Sequence, residues 1–415
     1  MVVSRVAVVG AGMVGLATAW FLQQHDVQVT VYDRAGVAAG ASWGNAGWLT
    51  PGLATPLPEP AVLAYGIRAV LSPASPVYVP PSADPRLLGW LARFARNSTA
   101  ARWRTSMQAL IPLNRLALPS FDLLADGGVK APTVQAVSFI AAYRTARERQ
   151  ALLEEIEHIH TAGQDLQFEI LDGDQARMVE PILSEQVGAA IRLHGQRYLD
   201  PGRFVHALAD AVSERGAQLC TGADAGQVTG IRDTATEVVV TTPAGSERYD
   251  TVVLASGVWL GEHAKKFGVR RLVQAGRGYS FSVPVEQMPS GPVYFPAQRV
   301  ACTPLGDRLR VAGMMEFRKP HAPLDPRRIA AIADAARPLL RGADLDRRQD
   351  EWVGSRPCTT DGLPLIGATR SPRVYVAGGH GMWGITLGPV TGRLLATHMV
   401  TGTRPVELAP FDPLR

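Results

Sequence analysis

Gly10, Gly12 and Gly15 stand in the order Gly-Ala-Gly-Met-Val-Gly directly after an apolar run, and Asp33 closes the next apolar run. Glycine at these spacings lets the backbone turn tightly, approach a pyrophosphate and pack a helix onto a strand. The N–H groups of Met13 and Val14 then open the helix with partial positive charge facing the phosphates. An acid at the end of the second strand is placed to accept hydrogen bonds from a ribose diol. The chemistry expected of this cluster is the holding of a dinucleotide. A second match, Gly379-His380-Gly381-Met382-Trp383-Gly384, has no following strand and no acid at the right distance. It reads as a glycine-rich turn that opens a helix.

The elements that must carry these residues follow from periodicity. Residues 6–9 form a continuous apolar run of the kind a strand buried on both faces shows. Residues 13–24 read as a helix and 28–32 as a strand, which completes one βαβ unit. The compositions of 36–60 and 72–85 turn to Gly, Ala and Pro, as expected of ordered loops over a cleft. Helices are expected over 87–96, 103–124, 145–162, 201–215, 326–340 and 386–399. Strands are expected over 188–193, 237–242, 248–255 and 373–377, the second and third of these returning to the nucleotide unit. The alternation over 270–283 and 299–312 predicts an antiparallel sheet. The fingerprint itself is common to NAD and FAD sites. The proline-rich excursion soon after the second strand interrupts a doubly wound sheet, which favours FAD.

With 415 residues, 46% hydrophobic and 19% charged, the chain has enough apolar material for two or three packed units, and this excludes disorder, fibres and coiled coils. The net charge of +5 comes from 42 basic residues scattered among 37 acidic ones without a run of like sign, so no nucleic-acid partner is expected. Cys220, Cys302 and Cys358 are too far apart to frame a disulfide or a metal site. A reducing, cytoplasmic compartment is therefore expected, and no stretch is long and apolar enough to span a bilayer.

Gly40-Ala41-Ser42-Trp43-Gly44-Asn45-Ala46-Gly47, followed by Thr50-Pro51-Gly52, resembles the flavin-contacting loop of the D-amino-acid dehydrogenase family, part of the D-amino-acid oxidase and glycine oxidase group of FAD enzymes. The resemblance continues through Gly278-Tyr279-Ser280, Arg310-Val311-Ala312-Gly313, Gly354-Ser355-Arg356-Pro357 and Thr360-Asp361-Gly362-Leu363-Pro364, in order over nearly the whole chain. It implies an α/β fold: a Rossmann-like FAD-binding domain assembled from discontinuous segments (1–60, 195–262 and 348–415), with an α+β substrate-binding domain built on an antiparallel sheet (61–194 and 263–347). It implies FAD contacts at Gly10, Gly12, Met13, Val14, Gly15, Asp33 and Arg34, and along the loop at Ala41, Ser42, Asn45, Ala46 and Gly47. Further contacts are implied at Gly257, Trp259, Gly379, His380, Gly381 and Thr386, and at the backbone of Asp224, where relatives commonly carry Val. Cys358 invites comparison with the flavin-linking cysteine of sarcosine oxidases, but its spacing to Asp361 differs from theirs, so noncovalent FAD is expected.

The resemblance further implies oxidative deamination of a D-amino acid by hydride transfer from Cα to flavin N5. The product is an imino acid that water converts to a 2-oxo acid and ammonia, and the electrons pass to a quinone or other acceptor. A quinone would bring the protein to the inner face of the cytoplasmic membrane. Arg356 matches the arginine that binds substrate carboxylate, and its planar fork suits that task; the alternative is a structural ion pair. Tyr279 is either a second donor to the same carboxylate or a core aromatic. Arg277 is either a charge that draws in the carboxylate or an arginine at a strand end on the surface. His380 is expected at the flavin edge, with the helix from about Thr386 aiming its N-terminus at the side where reduced flavin collects charge. Trp48 and Trp383 are candidate walls of a substrate pocket, or core. Two other readings stay open: an oxidase or dehydrogenase of secondary amines such as D-proline, hydroxy-D-proline or sarcosine, or of glycine, and a flavin-binding protein without turnover.

Overall fold

The computed structural model describes residues 3–60 and 75–415. Residues 72–74, the first part of the proline-rich stretch expected over 72–85, lie outside the described residues.

Five parallel strands run side by side in the order Gln218–Thr221, Gln28–Asp33, Arg5–Val9, Thr251–Leu254 and Val374–Gly378, and Leu365–Ala368 closes the edge antiparallel to the last. Successive strand residues point to opposite faces. Val6 and Val8 thus join one apolar cluster with Leu16, Leu208 and Leu395, while Ala7 and Val9 join another with Val238, Val240 and Tyr249. The first cluster is supplied by the helices Met13–Gln23, Pro201–Glu214 and Gly384–Thr401. A separate three-stranded antiparallel sheet, Gly230–Asp233, Val238–Thr242 and Gly245–Tyr249, covers the other face. Burial on both faces explains why these strands read as unbroken apolar runs. It also corrects one expectation: the strand at 237–242 belongs to the covering layer, and only Thr251–Leu254 returns to the parallel sheet.

The second sheet has nine strands. Its order is Gln349–Thr359, Val273–Val283, Arg308–Phe317, Val300–Leu305, Val293–Phe295, Ile140–Tyr143, Ala189–Leu193 and Phe168–Asp172, with Val77–Tyr78 pairing alongside Arg308–Phe317. The antiparallel sheet expected over 270–283 and 299–312 is present, and its second stretch folds as a hairpin turned at Gly306, whose φ of +68° suits glycine. The helix expected over 326–340 ends at Ala336 and continues as a tighter turn, Arg337–Leu339, because Pro338 has no N–H to extend it. On the central strand, Tyr279, Phe281 and Val283 face Ile329 and Ile332 of the helix Pro326–Ala336. The alternate residues Gly276, Gly278, Ser280 and Ser282 face the opposite way, toward the 36–60 loop. That loop is ordered: Trp48–Leu49 pairs with Arg197–Tyr198, and Pro51–Leu53 forms one tight turn.

Candidate active site

The parallel strands end together on one side, and a long cleft with a cavity volume of about 240 Å³ opens there. Gly10, Gly12, Met13 and Val14 line its middle. Gly10 has a φ of +123°, and a Cβ on Gly15 would fall 1.9 Å from the Gly10 carbonyl oxygen, so the helix can seat on the strand only with glycine there. Gly12 precedes the first helical turn without a side-chain cap, which leaves early N–H groups of the helix directed at the cleft. Asp33 braces the same turn: its Oδ2 accepts from Ala11 N at 2.9 Å and its Oδ1 from Ala35 N at 2.9 Å. Oδ1 also accepts from Gly36 N at 3.1 Å, so it is Oδ2 that retains a lone pair for a ligand hydroxyl.

One end of the cleft is formed by Tyr32, Asp33, Arg34, Gly226, Gln227, Val228, Gly257 and Trp259. The Arg34 guanidinium lies 4.2 Å from the centre of a Trp259 ring, and the Trp259 indole donates to His321 Nε2 at 3.2 Å. Asp224 itself stands outside the lining, exposed in the short helix before Gly226. The Ser256 hydroxyl, also in the lining, is buried without a hydrogen-bond partner.

The other end brings together Ala41, Ser42 and Asn45 of the loop, Ser355–Pro357 from the edge strand, and His380, Gly381, Met382, Gly384 and Ile385 at the start of the last helix. Arg356 Nη1 donates to Met314 O at 2.8 Å. Met314 has a left-handed φ of +67° where the register between the central strand and Arg308–Phe317 shifts, so a bulge turns this carbonyl toward the arginine. The guanidinium lies flat over Gly278, where a Cβ would fall 2.1 Å from Nη2 and 2.3 Å from Cζ. Burial lowers its pKa, and among the described residues no carboxylate lies within ion-pair distance of it. The structural ion pair considered for this residue is therefore absent there.

Tyr279 and Arg277 stand apart from Arg356. They point to the opposite face of the strand from Gly276 and Gly278, and both bond Glu316 Oε2, at 2.7 Å and 3.0 Å. Arg277 is fully buried, in contrast to the surface position considered for it, so period-two geometry removes both from the cleft. His380 is buried with its Nε2 2.9 Å from Thr391 Oγ1, and burial pulls its pKa down to about 4. Thr386 donates to Trp48 O, Gly379 lines a smaller adjoining pocket with Cys358 and Trp383, and the Trp383 indole donates to Thr55 O. Ala46 and Gly47 lie behind the cleft: Ala46 O accepts from Thr303 Oγ1, and Gly47 abuts Leu199 O. The Trp48 indole donates to Thr303 and packs on Phe139 and Tyr294. Cys358 is buried, and burial pushes its thiol up to about 12.

Sequence reasoning overlooked the bare strand face. Gly276 and Gly278 are two apart on one strand, opposite Arg356 and Gly354 on the next, a spacing that marks a surface cleared of side chains. His380 carries a testable pH dependence. Its folded pKa lies below the unfolded 6.5, so the unfolded chain binds more protons between those values and stability falls as pH drops through that window. His380→Gln is expected to lose about 2–3 kcal/mol less than the parent between pH 7 and about pH 4.5, measured by urea unfolding at both; equal losses would reject a neutral His380.

Three comparisons bear on this architecture. The family model described as FAD dependent oxidoreductase matches residues 5–398. The chain is 30% identical to a D-amino acid dehydrogenase of Agrobacterium fabrum over 412 residues, 97% of this chain and 96% of that one. It is 29% identical to a D-amino acid dehydrogenase of Azorhizobium caulinodans, covering 97% of each. Among solved structures, glycine oxidase from Geobacillus kaustophilus superposes with a TM-score of 0.74 at 23% identity over 99% of both chains, and glycine oxidase from Bacillus cereus with 0.72 at 21% over 98% of both. These likenesses carry the fold. With one family model running through both sheets and every strand end that lines the cleft, the chain belongs to the FAD-dependent oxidoreductases.

Proposed function

We propose that the protein oxidises D-amino acids at Cα, giving imino acids that hydrolyse to 2-oxo acids and ammonia. The observation that carries this reading is Arg356, a guanidinium that lines the cleft, is seated by a backbone carbonyl on a glycine floor, and has no carboxylate partner among the described residues. The relatives named D-amino acid dehydrogenase support the handedness.

The residues present fit FAD. The uncapped helix start at Gly12 suits a pyrophosphate, Asp33 a ribose, and the partnerless Ser256 hydroxyl a polar group of the cofactor. FAD, when bound, supplies the acceptor for the Cα hydride. Arg356 binds the substrate carboxylate through its free N–H groups and fixes where Cα points. His380 stays neutral above about pH 5 and, held by Thr391, shapes the apolar wall beside Gly381. The first turn of Gly384–Thr401 presents backbone N–H dipoles to the same end, favouring negative charge there. A neutral amine needs no general base for hydride loss, and none is assigned. Reoxidation passes electrons to a quinone or other acceptor. No described helix is long and apolar enough to cross a membrane, so approach to a bilayer quinone would be peripheral.

Anaerobic absorption spectra with D- and L-amino acids added separately test the reading. Bleaching of the flavin bands by D-enantiomers alone is expected; bleaching only by sarcosine or D-proline would replace it with the secondary-amine reading, and bleaching only by glycine with a glycine oxidase or dehydrogenase. Gly278→Ala is expected to raise KM for the amino acid about tenfold or more with FAD retained, because the new methyl displaces the flexible end of Arg356 and not the backbone. An unchanged KM would separate Gly278 from the substrate site.

A further inference from the structure

Arg310 is a second guanidinium on the cleft-side face of the antiparallel sheet, and the oxidation described above makes no use of it. It is 2% exposed, and no carboxylate lies within 4 Å among the described residues. Burial lowers its pKa, with Asp200 and Asp350 opposing from beyond contact. Its neighbours follow from register. Arg310 pairs with Ser282 across the strands, its Nε donates to Ser282 Oγ at 3.2 Å, and Nη1 reaches Ser280 Oγ at 3.5 Å. The guanidinium lies 5.0 Å from the Trp43 ring centre.

Trp43 and Gly44 belong to the loop whose Ala41, Ser42 and Asn45 line the cleft. Trp43 is held from the other side by Gly202, where a Cβ would fall 2.9 Å from the indole. Ser280 Oγ donates to Gly44 O at 2.8 Å, and a Cβ on Gly44 would fall 2.1 Å from the Trp352 ring. Ser42 Oγ in turn accepts from Met13 N at 3.2 Å, at the helix start. Two adjacent loop residues are thus clamped from below by one sheet while their neighbours face the cofactor cleft of the other.

A buried cation without a carboxylate is costly, and two hydroxyl acceptors and an aromatic face offset only part of that cost. An unbranched apolar side chain of similar length would suit the fold better. Its placement under the loop points to a role in binding.

We propose that Arg310 is a positioning residue for FAD: by stacking on Trp43 and, through Ser280, fixing the Gly44 carbonyl, it sets the 41–45 turn in its binding shape before the cofactor arrives. This rests on family membership alone, and it survives a different substrate. Preorganisation of this kind is read in cofactor affinity more than in fold stability.

The test strips the flavin, titrates FAD back by fluorescence, and melts the flavin-free protein. Arg310→Met is expected to raise the FAD Kd tenfold or more with a flavin-free melting temperature equal to or above the parent's, and Arg310→Lys to recover only part, since a point charge cannot both stack and bridge. Ser280→Ala, a smaller change, is expected to raise the Kd several-fold. A Kd within twofold of the parent in either Arg310→Met or Ser280→Ala, or a fall in the flavin-free melting temperature of Arg310→Met, overturns the proposal.

Discussion

Arg356→Ala is expected to lower kcat/KM for a D-amino acid about 10²–10³-fold, mostly through KM, with FAD bound and the melting temperature nearly unchanged. The guanidinium spends one donor on Met314 O, approaches Met315 Sδ, and lies over a strand face cleared by Gly278. Its remaining N–H groups have no acid to compete for them, so a substrate carboxylate meets a charge-assisted fork already aimed. Truncating one partner of such a pair costs about 2–5 kcal/mol, and each 1.4 kcal/mol is about tenfold. Arg356→Lys restores the charge but not the fork and is expected to recover part of the loss. The split matters: a structural arginine would surrender stability first, whereas a clamp surrenders KM. Steady-state kinetics with the flavin content measured in parallel decide it, and parent-like kinetics in Arg356→Ala would reject the clamp.

The parallel sheet was legible because its strands are buried twice. Residues 6–9 and 29–32 are buried on both faces, and glycine at 10 and 15 is forced by backbone contacts as close as the Gly15–Gly10 approach. The edge strands Gln218–Thr221 and Leu365–Ala368 left weaker marks, the first because half of it is exposed. The site was legible where a residue stands at a strand end, as with Asp33, Gly257 and His380. It was less so where the answer depends on which face of a strand points inward. Gly-Tyr-Ser at 278–280 marks a special strand but not which of its residues faces the cleft, and the parity set by Gly276 and Gly278 gives the cleft to glycine and the core to Tyr279. Likewise nothing local distinguishes Arg277, Arg310, Arg328 and Arg356, four arginines on neighbouring strands and a helix. Their roles diverge only once register assigns Glu316 to Arg277 and leaves the cleft to Arg356.

Glu316→Ala is expected to destabilise the protein by about 3–5 kcal/mol, the cost of stranding buried cations. Glu316 is 1% exposed. Its Oε2 takes Arg277 Nη1 at 3.0 Å and the Tyr279 hydroxyl at 2.7 Å, while Oε1 faces Arg318 at 3.6 Å and Arg328 at 4.0 Å. Arg277 and Arg328 are themselves buried, and Nε of the first and Nη2 of the second already lack hydrogen-bond partners. One carboxylate therefore balances more positive charge than it carries, and removing it leaves two desolvated guanidiniums facing each other's field. In the parent, burial and the hydrogen bond it donates to Glu316 both raise the Tyr279 pKa, so the tyrosine is neutral and adds no second negative charge to the cluster. Arg277 Nη2 also donates to Ala322 O and Pro323 O. The loop so fixed carries His321, which accepts from Trp259 at the cleft. Loss of Glu316 should thus appear first in denaturant unfolding and second in cofactor retention, the reverse of the order expected for Arg310→Met. Glu316→Gln keeps the shape and an acceptor for Tyr279 but not the charge, and is expected to lose nearly as much. A loss below about 1 kcal/mol in Glu316→Ala would mean that water reaches these arginines and that the cluster contributes little to the fold.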